Sequence, residues 1–378
     1  MDRKTRIVLA SLVVFSAFVL LALATYTTPR PGGLVPTGIP VEARFAHTAT
    51  LLRDGRVLIA GGMERNGTWL DSAELWDPAT EQFTAVGRMT ARRAGATATL
   101  LPSGKVLIAG GSNGPDTSLS TAELFDPQTL TFTRTGEMMM QRSHAAAVLL
   151  RSGGVLMAGG NASGDRDQVS CVEIYDAVTE RFSHIGYMQF GRSYYTAIAL
   201  RDGRVLFVGG LSGGQYPNHQ VEATAEIFDP ATRQFTLTGS LSTPRYKQGA
   251  ALLPDGRVLI LGGSNESGHL QYEYSSTEIY DPRTDHFTAG PSMNFERYKM
   301  LYSVVTLDDG RILVAGGADQ PEVFDPARNA FVRIKGPQLE GFLFNTATVL
   351  RDGRVLLVDG YGNHPANGAV RQARVFAP

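Results

Sequence analysis

The sequence of 378 residues has a single cysteine, Cys171, which excludes an internal disulfide and any zinc site built from cysteines alone. An excess of charge of one sign is also lacking, since 35 basic residues stand against 36 acidic ones. This balance gives no support for a nucleic-acid-binding stripe or a polybasic membrane patch. The 42 glycines do not recur at every third position, which excludes collagen. A hydrophobic content of 43% excludes a disordered chain.

Residues 1–24 are typical of a targeting segment. A basic flank over residues 3–6 precedes an uncharged run over residues 7–24 that is rich in Val, Leu and Ala. The pattern predicts one hydrophobic helix, either a cleaved signal peptide or a retained membrane anchor. Both alternatives place the rest of the chain outside the cytoplasm: periplasmic, at the cell surface or secreted. Residues 25–33, with two prolines, are expected to be a linker.

The remaining chain repeats with a period of about 49 residues, which predicts a repeat architecture. Each unit has an arginine, a run of small residues, Leu-Leu, Asp-Gly-Arg-Val-Leu, Gly-Gly, a variable stretch, Glu-x-aromatic-Asp-Pro and Phe-Thr. The glycine pairs begin at Gly61, Gly110, Gly159, Gly209, Gly262 and Gly316, and Asp359-Gly360 takes their place in a seventh unit. A recurring arginine and glutamate, beginning with Arg44 and Glu74, predict a structural pair between neighbouring sheets. Lys299 and Phe342 are assigned to the arginine position of the last two units.

Four strands are predicted in each unit. The Asp54-Gly55 pair favours a type I′ hairpin turn between strands over residues 48–53 and 56–60. The second of these strands lacks polar alternation, so we expect both of its faces to be buried. Asp77-Pro78 and its copies start the turn between the third and fourth strands. Four-stranded antiparallel sheets repeated radially make a β-propeller.

The predicted fold is therefore all-β, a seven-bladed propeller over residues 34–378. The chain supplies only three strands to its seventh unit before Pro378. The number of residues from Leu34 to the next hairpin turn equals the number from a fourth strand to the next hairpin turn in other blades. Residues 34–38 are therefore expected to form the fourth strand of the last blade. Such closure removes exposed sheet edges, which would otherwise promote aggregation.

With the motif Leu-Leu-x-Asp-Gly-Arg-Val-Leu-x-x-Gly-Gly, residues 34–378 resemble the kelch-repeat β-propellers, in their galactose oxidase-like subtype. Galactose oxidase itself has a Tyr-His-Ser run and a cysteine cross-linked to a tyrosine beside copper. The nearest runs here are Tyr246-Lys247-Gln248 and Ser143-His144-Ala145, and neither pairs tyrosine with histidine. Cys171 begins a third strand, away from the first-strand tyrosines. A copper-radical oxidase is thus disfavoured, and neither a metal nor another cofactor is expected.

Length variation is concentrated in the connections between strands 2 and 3 and between strands 4 and 1, which meet at one mouth of the channel. Binding residues are expected on such variable loops of a rigid scaffold. Tyrosines and lysines gather there on blades four to seven, where rings can pack on sugar faces while ammonium groups hold hydroxyls or anions. The candidate ligand-binding residues are Tyr194, Tyr195, Tyr246, Lys247, Tyr298, Lys299, Tyr302, Asn345, Asp359 and His364.

These observations favour an extracytoplasmic propeller that binds a carbohydrate or a protein at this mouth. The propeller is expected to be a monomer and not to bind nucleic acid. Contact with a membrane is expected only through residues 7–24. The alternative is an enzyme acting on a sugar or sugar acid, similar to the kelch-type sialic acid mutarotases, for which Glu273, Asp359 and His364 are the candidate proton-transfer groups. No Ser/His/Asp constellation is recognisable from spacing.

Overall fold

The computed structural model describes residues 32–163, 167–214, 219–267, 270–336, 338–358, 360–362 and 370–378. The N-terminal helix predicted over residues 7–24 lies outside these ranges, as do Asp359 and His364. Within the ranges, no helix is long and apolar enough to cross a membrane.

The described chain forms seven four-stranded antiparallel sheets, confirming the predicted propeller. Strand β1 is Gly33–Pro36, and blade one consists of β2 (Thr48–Leu51), β3 (Val57–Ala60), β4 (Ala73–Asp77) and β5 (Gln82–Ala85). Blade two consists of β6 (Thr97–Leu100), β7 (Val106–Ala109), a mouth hairpin of β8 (Ser112–Gly114) and β9 (Thr117–Ser118), β10 (Ala122–Asp126) and β11 (Thr131–Arg134). Blade three consists of β12 (Ala146–Leu149), β13 (Val155–Ala158), β14 (Cys171–Asp176) and β15 (Arg181–Tyr187).

The remaining four blades follow the same order of strands. Blade four consists of β16 (Thr196–Ala199), β17 (Val205–Val208), a hairpin of β18 (Leu211–Ser212) and β19 (Gln220–Val221), β20 (Ala225–Asp229) and β21 (Gln234–Leu237). Blade five consists of β22 (Gly249–Leu252), β23 (Val258–Leu261), a hairpin of β24 (Ser264–Ser267) and β25 (Leu270–Glu273), β26 (Thr277–Asp281) and β27 (His286–Ala289). Blade six consists of β28 (Val304–Thr306), β29 (Ile312–Val314), β30 (Glu322–Asp325) and β31 (Ala330–Arg333), and blade seven of β32 (Thr346–Val349), β33 (Val355–Val358) and β34 (Ala373–Ala377).

The ring closes as the sequence predicts. Strand β1 pairs antiparallel with β34, and Leu34 lies opposite Phe376. Leu34 is buried in the cluster between blades six and seven, together with Leu313 and Ile334. The N-terminal strand therefore completes the last sheet and also contributes to the apolar core.

The hairpin between the first two strands of blade one differs from the predicted type I′ turn. Gly55 has φ of +93°, but Asp54 does not have a positive φ. The Leu52 N–H donates to the Arg56 carbonyl and the Gly55 N–H to the Leu52 carbonyl, which encloses a three-residue loop. A three-residue hairpin loop of this kind needs only one residue in the left-handed conformation, which is a glycine here. The Asp54 carboxylate accepts the Arg56 N–H at 3.0 Å and fixes the loop.

The second strands are buried on both faces, as predicted, and lead into the glycine pairs. At Gly61 a Cβ would lie 2.4 Å from the Arg93 carbonyl oxygen of blade two. Glycine is needed there because the next blade crosses directly over its backbone.

The recurring arginine and glutamate are a buried structural pair, but within one blade and not between neighbouring sheets. Each glutamate also accepts a backbone N–H from the incoming connection, as Glu226 does from Gln189 at 2.8 Å. Lys299 was assigned to the arginine position of blade six, and this is wrong, because Arg297 fills it. The pairs are Arg44–Glu74, Arg93–Glu123, Arg142–Glu173, Arg192–Glu226, Arg245–Glu278 and Arg297–Glu322.

Candidate functional site

In each of the seven blades, one residue with positive φ lies just before the first strand. Together these residues form a ring around the channel. We call this ring the collar, and φ along it lies between +50° and +60°. Such angles are uncommon outside glycine, and here neighbouring blades hold them through backbone hydrogen bonds. Gly95 donates to Ala46, His144 to Gly95, Lys247 to Tyr194, Phe344 to Lys299 and Ala46 to Phe344, at 2.8 to 3.3 Å. The collar consists of Ala46, Gly95, His144, Tyr194, Lys247, Lys299 and Phe344.

The aromatic side chains of the collar lie over the channel. The His144 ring stacks on Tyr194 with centroids 4.3 Å apart and lies 6.2 Å from Phe344 of blade seven. A Cβ on Gly95 would come within 2.5 Å of the His144 ring. The glycine in blade two therefore leaves the space in which His144 lies, and the rings together narrow the mouth.

Two half-buried lysines bring positive charge to the collar on blades five and six. The Lys247 ammonium lies 4.6 Å from the centroids of both Tyr194 and Tyr246. The Lys299 ammonium lies 4.6 Å from the Tyr298 ring and donates to the Tyr361 hydroxyl at 2.7 Å. Ring faces attract cations, so these contacts hold both ammonium groups in place.

Below the collar, the channel contains a cavity of about 320 Å³. It is lined by four first-strand threonines, by Tyr302 and by His144 of the collar. This combination of hydroxyls and small apolar side chains suits a small polar molecule. The four threonines are Thr48, Thr97, Thr196 and Thr346.

In several blades, the residue that directly follows the collar residue has a polar side chain that forms a hydrogen bond to the neighbouring blade. The Tyr195 hydroxyl donates to the Ala158 carbonyl at 2.6 Å, and Asn345 Nδ2 donates to the Ala315 carbonyl at 3.1 Å. Gln248 makes the equivalent bond in blade five. The structure thus places Tyr195 and Asn345, two of the predicted ligand-binding residues, in inter-blade hydrogen bonds, with their side chains buried.

Blade six has two extra residues between the collar and its first strand. Met300 and Leu301 follow Lys299, and a turn closes by a bond from the Ser303 N–H to the Met300 carbonyl at 3.2 Å. This turn directs Leu301 and Tyr302 at the cavity. Burial raises the pKa of Tyr302 to about 12, so its hydroxyl is protonated at neutral pH. The variable length of this connection follows from the sequence, but not that its two extra residues lie inside the collar.

The family described as Kelch motif matches residues 44–90, 92–139 and 245–294, which lie in blades one, two and five. These motifs occur in a closed ring of seven four-stranded blades. The protein is a kelch-repeat β-propeller.

Two solved structures share the fold of this kelch propeller. One is a fungal alcohol oxidase of the AA5 family in complex with copper, with a TM-score of 0.68, 17% identity, and coverage of 93% of this chain and 77% of that one. The other is YjhT, with a TM-score of 0.61, 12% identity, and coverage of 80% of this chain and 99% of that one. At these identities the likeness concerns fold alone.

A curated relative matches only part of the kelch propeller. The tRNA wybutosine-synthesizing protein 4 of Saccharomyces cerevisiae (strain ATCC 204508 / S288c) is 34% identical over 119 residues. The match covers 30% of this chain and 16% of that protein's length. It is a similarity over about two to three blades.

The copper of the fungal oxidase has no evident counterpart among the kelch propeller's described residues, where no group of three or more His, Cys, Asp or Glu side chains could hold a metal. Cys171 is buried at the start of β14, with its Sγ 4.0 Å from Glu173 Oε1. Burial raises the pKa of the Cys171 thiol. Its position in the Arg–Glu layer points to a structural thiol.

Those predicted site residues that the structure describes fall into three groups. Around the collar, the structure brings together Tyr194, Tyr246, Lys247, Tyr298 and Lys299. Tyr302 lines the cavity below, while Tyr195 and Asn345 form hydrogen bonds between blades. Asp359 and His364 lie outside the described residues. Phe344 and Tyr361 also lie at this mouth, where both rings are near the Lys299 ammonium and the Tyr361 hydroxyl accepts a hydrogen bond from it.

Glu273 lies on the same mouth, at the end of β25. Burial and the neighbouring Glu296 raise the pKa of its half-buried carboxyl, while Lys299 opposes the shift. A raised pKa makes a carboxyl a better general acid than an ordinary glutamic acid side chain. Of the three proton-transfer candidates, Glu273 is the one that lies within the described residues, and it interacts with Lys299 of the collar.

The stability of the kelch propeller is expected to fall as the pH drops through the range in which unfolded histidine becomes protonated. Burial, and then the charge of Arg44, lower the pKa of His47 to about 3, whereas an unfolded histidine has a pKa of about 6.5. The folded state therefore binds fewer protons between these values, and lowering the pH from 6 to 5 should cost about 1 kcal/mol through this residue. Denaturant titrations at the two pH values measure the loss.

The matched variant is His47→Gln, because Gln248 occupies the equivalent position in blade five. It should reduce the difference between the two pH values by about 1 kcal/mol. The same substitution at the exposed His286 is the control. An identical pH dependence in wild type and His47→Gln would show that His47 does not stay neutral in the fold.

Proposed function

We propose that this protein binds an anionic carbohydrate, such as a sugar acid or a chain of them, at the collar mouth over blades four to seven. The observation that carries the proposal is the pair of lysines on adjacent blades, each with its ammonium group held 4.6 Å from a tyrosine ring. Ammonium groups attract a carboxylate, and the surrounding rings offer flat apolar faces to the pyranose.

Several features around the lysines support this choice. Tyr272, which is half exposed, and Tyr361 flank the blade-five and blade-seven sides of the mouth. In the cavity below, the hydroxyls of Thr48, Thr97 and Thr196 donate to the wall, so their oxygens can accept from the hydroxyls of a sugar. Kelch propellers generally mediate protein–protein interactions, so a protein ligand fits the fold equally well. The pocket-like collar with two half-buried cations favours the smaller anionic ligand.

We further propose that binding takes place outside the cytoplasm. The support is the basic flank and apolar run of residues 1–24, which fit a signal peptide or an anchor. A fusion of these residues to alkaline phosphatase, which is active only after export, tests this part separately from ligand binding.

Removing both lysines is expected to abolish binding of sugar acids while leaving the fold intact. Calorimetric titration of the wild-type protein with glucuronate, galacturonate, N-acetylneuraminate and their oligomers should identify the ligand, and neutral parent sugars should bind at least tenfold more weakly. Because each charge-assisted hydrogen bond contributes about 1.5–3 kcal/mol, the Lys247→Ala/Lys299→Ala variant should lose at least 100-fold in affinity for it.

Lys105→Ala is the matched control, because Lys105 lies in a hairpin turn on the opposite face. Its affinity and that of the wild type should be equal. Unchanged affinity in the double variant, or equal binding of neutral and acidic sugars, would refute the anionic-carbohydrate proposal.

A second candidate, isomerisation of the bound sugar acid, is favoured by Glu273. Its carboxyl has a raised pKa and lies in the electrostatic field of Lys299, so it could exchange a proton with a ligand held by the lysines. Glu273→Gln should then abolish anomeric exchange, measured by NMR saturation transfer, while the affinity for the sugar acid stays within about threefold.

A further inference from the structure

The face opposite the collar is built from hairpin turns and from the turns between third and fourth strands. At three of the junctions on this face, a hairpin arginine lies against the next blade. Arg56 donates to the Pro127 carbonyl of blade two at 3.3 Å, and Arg204 donates to the Pro282 carbonyl of blade five at 3.4 Å. Arg354 pairs with Glu81 of blade one at 2.7 Å. These side chains fill the junctions.

The junction between blades three and four lacks this side chain. Its hairpin has Ser152-Gly153-Gly154 where blade four has Asp202-Gly203-Arg204. A groove of about 680 Å³ opens here and extends to the edge of blade two. The corresponding spaces are about 200 Å³ between blades four and five and about 360 Å³ between blades one and two. The missing side chain therefore coincides with the largest of the three spaces.

A second departure of blade three gives this groove an apolar side. Ala177 replaces the proline found in the same turn of the other blades, and the next residue, Val178, is 93% exposed. Leu150 and Ile174 also line the groove. Val178 is the most exposed large hydrophobic residue among those that the structure describes. Val178 and the half-buried Ile174 thus form a small apolar patch beside charged groups, which suits a surface that binds another protein.

The charge of this junction is more positive than that of either neighbouring junction. Two hairpin positions and the last residue of the next blade's turn meet at each junction, and between blades three and four they carry one net positive charge. The same positions are neutral between blades two and three and carry one net negative charge between blades four and five. In this order, the residues are Ser152, Gly154 and Arg233; Ser103, Lys105 and Glu180; and Asp202, Arg204 and Asp285.

Two arginines line the groove without an ion pair to any residue in the described ranges. Arg151 donates to the Arg201 carbonyl, whereas the Arg233 side chain is exposed. The carboxylates around it are engaged elsewhere. Asp229 and Asp176 accept N–H groups of their own turns, and Asp202 pairs with Arg204 at 2.8 Å. An incoming carboxylate is therefore the natural partner of Arg233.

We propose that the groove between blades three and four docks a segment of a partner protein that carries an acidic residue flanked by apolar ones. The segment's carboxylate pairs with Arg233, and its apolar side chains cover Val178 and Ile174. The space it occupies is the one that a hairpin arginine fills at other junctions. This surface lies on the face opposite the collar, so partner docking and ligand binding at the mouth use separate parts of the propeller.

The proposal is tested with an array of nonapeptides in which one glutamate is flanked by every pair drawn from leucine, valine, isoleucine and phenylalanine. A matched array has lysine in place of glutamate. We expect saturable binding of fluorescently labelled protein to the glutamate array alone. Arg233→Glu and Gly154→Arg should each weaken the best peptide at least tenfold, the first by reversing the charge and the second by filling the groove as Arg204 does in blade four.

Asn329→Glu is the control, since Asn329 is exposed and occupies the turn position of blade six that Arg233 occupies in blade four. It should bind the peptides as the wild type does. If Gly154→Arg misfolds, because its Cβ would lie 3.0 Å from Ile174, Val178→Asp tests the same surface. Binding to neither array, equal binding to both, or full binding by Arg233→Glu would overturn the proposal.

Discussion

Replacing Arg192 by methionine is expected to lower the free energy of unfolding by about 3–5 kcal/mol, because it leaves Glu226 charged and buried without its partner. The Arg192 guanidinium contacts the Glu226 carboxylate at 2.7 Å, and both side chains are fully buried. It also donates to the carbonyls of Gly209 and Thr224, each at 3.0 Å, so three acceptors lose their donor together. Equilibrium denaturation with urea measures the loss.

The control for this prediction is a pair of the same chemistry on the surface. Arg283 contacts Asp281 at 2.7 Å, but its side chain is 80% exposed. Exposed pairs contribute about 0–1 kcal/mol, so Arg283→Met should change stability by no more than that. The two variants together separate burial from ion pairing. A loss below 1 kcal/mol for Arg192→Met would mean that the neighbouring N–H of Gln189 compensates Glu226.

The second large effect is expected from removal of the closing strand. A fragment of residues 39–378 lacks β1 and exposes the edge of β34 along Ala373–Ala377. It also loses Leu34 from the cluster between blades six and seven, where truncation of a buried leucine alone costs about 2–5 kcal/mol. We expect this fragment to aggregate, because an unpaired edge can pair with another chain.

A fragment of residues 31–378 retains β1 and serves as the control. It should elute as a single species on size-exclusion chromatography and unfold in one thermal transition. Adding a synthetic peptide of residues 32–38 should restore part of the lost thermal stability to the shorter fragment, because the strand can pair in trans. Equal behaviour of the two fragments would show that closure by β1 does not stabilise the ring.

Those parts of the fold that follow from local chemistry could be predicted from the sequence. The Asp-Gly turns, the fully apolar second strands and the strand at Leu34 each rest on neighbouring residues or on a fixed spacing. The turn type could not be predicted in this way. Asp54-Gly55 is compatible with either a two-residue or a three-residue loop, and the pairing of Leu52 with Arg56 decides between them.

The candidate site could be predicted only in part, because side-chain direction depends on the neighbouring blade. Tyr195 and Asn345 were grouped with the collar residues, yet both lie seven residues before a hairpin aspartate, as Gln248 does. Counting back from that aspartate would have shown that they share one structural position. The same count fails for Lys299, since Met300 and Leu301 add two residues after it.

In the collar, backbone groups form the hydrogen bonds that hold the toroid together, whereas side chains are the groups that a ligand can contact. Since adjacent sectors are joined there through N–H and carbonyl groups, the side chain at each position can change without loss of those bonds, provided that it tolerates a left-handed conformation. Alanine, glycine, histidine, tyrosine, lysine and phenylalanine all occur. Recognition properties could thus be re-engineered one sector at a time by grafting new side chains onto this rim.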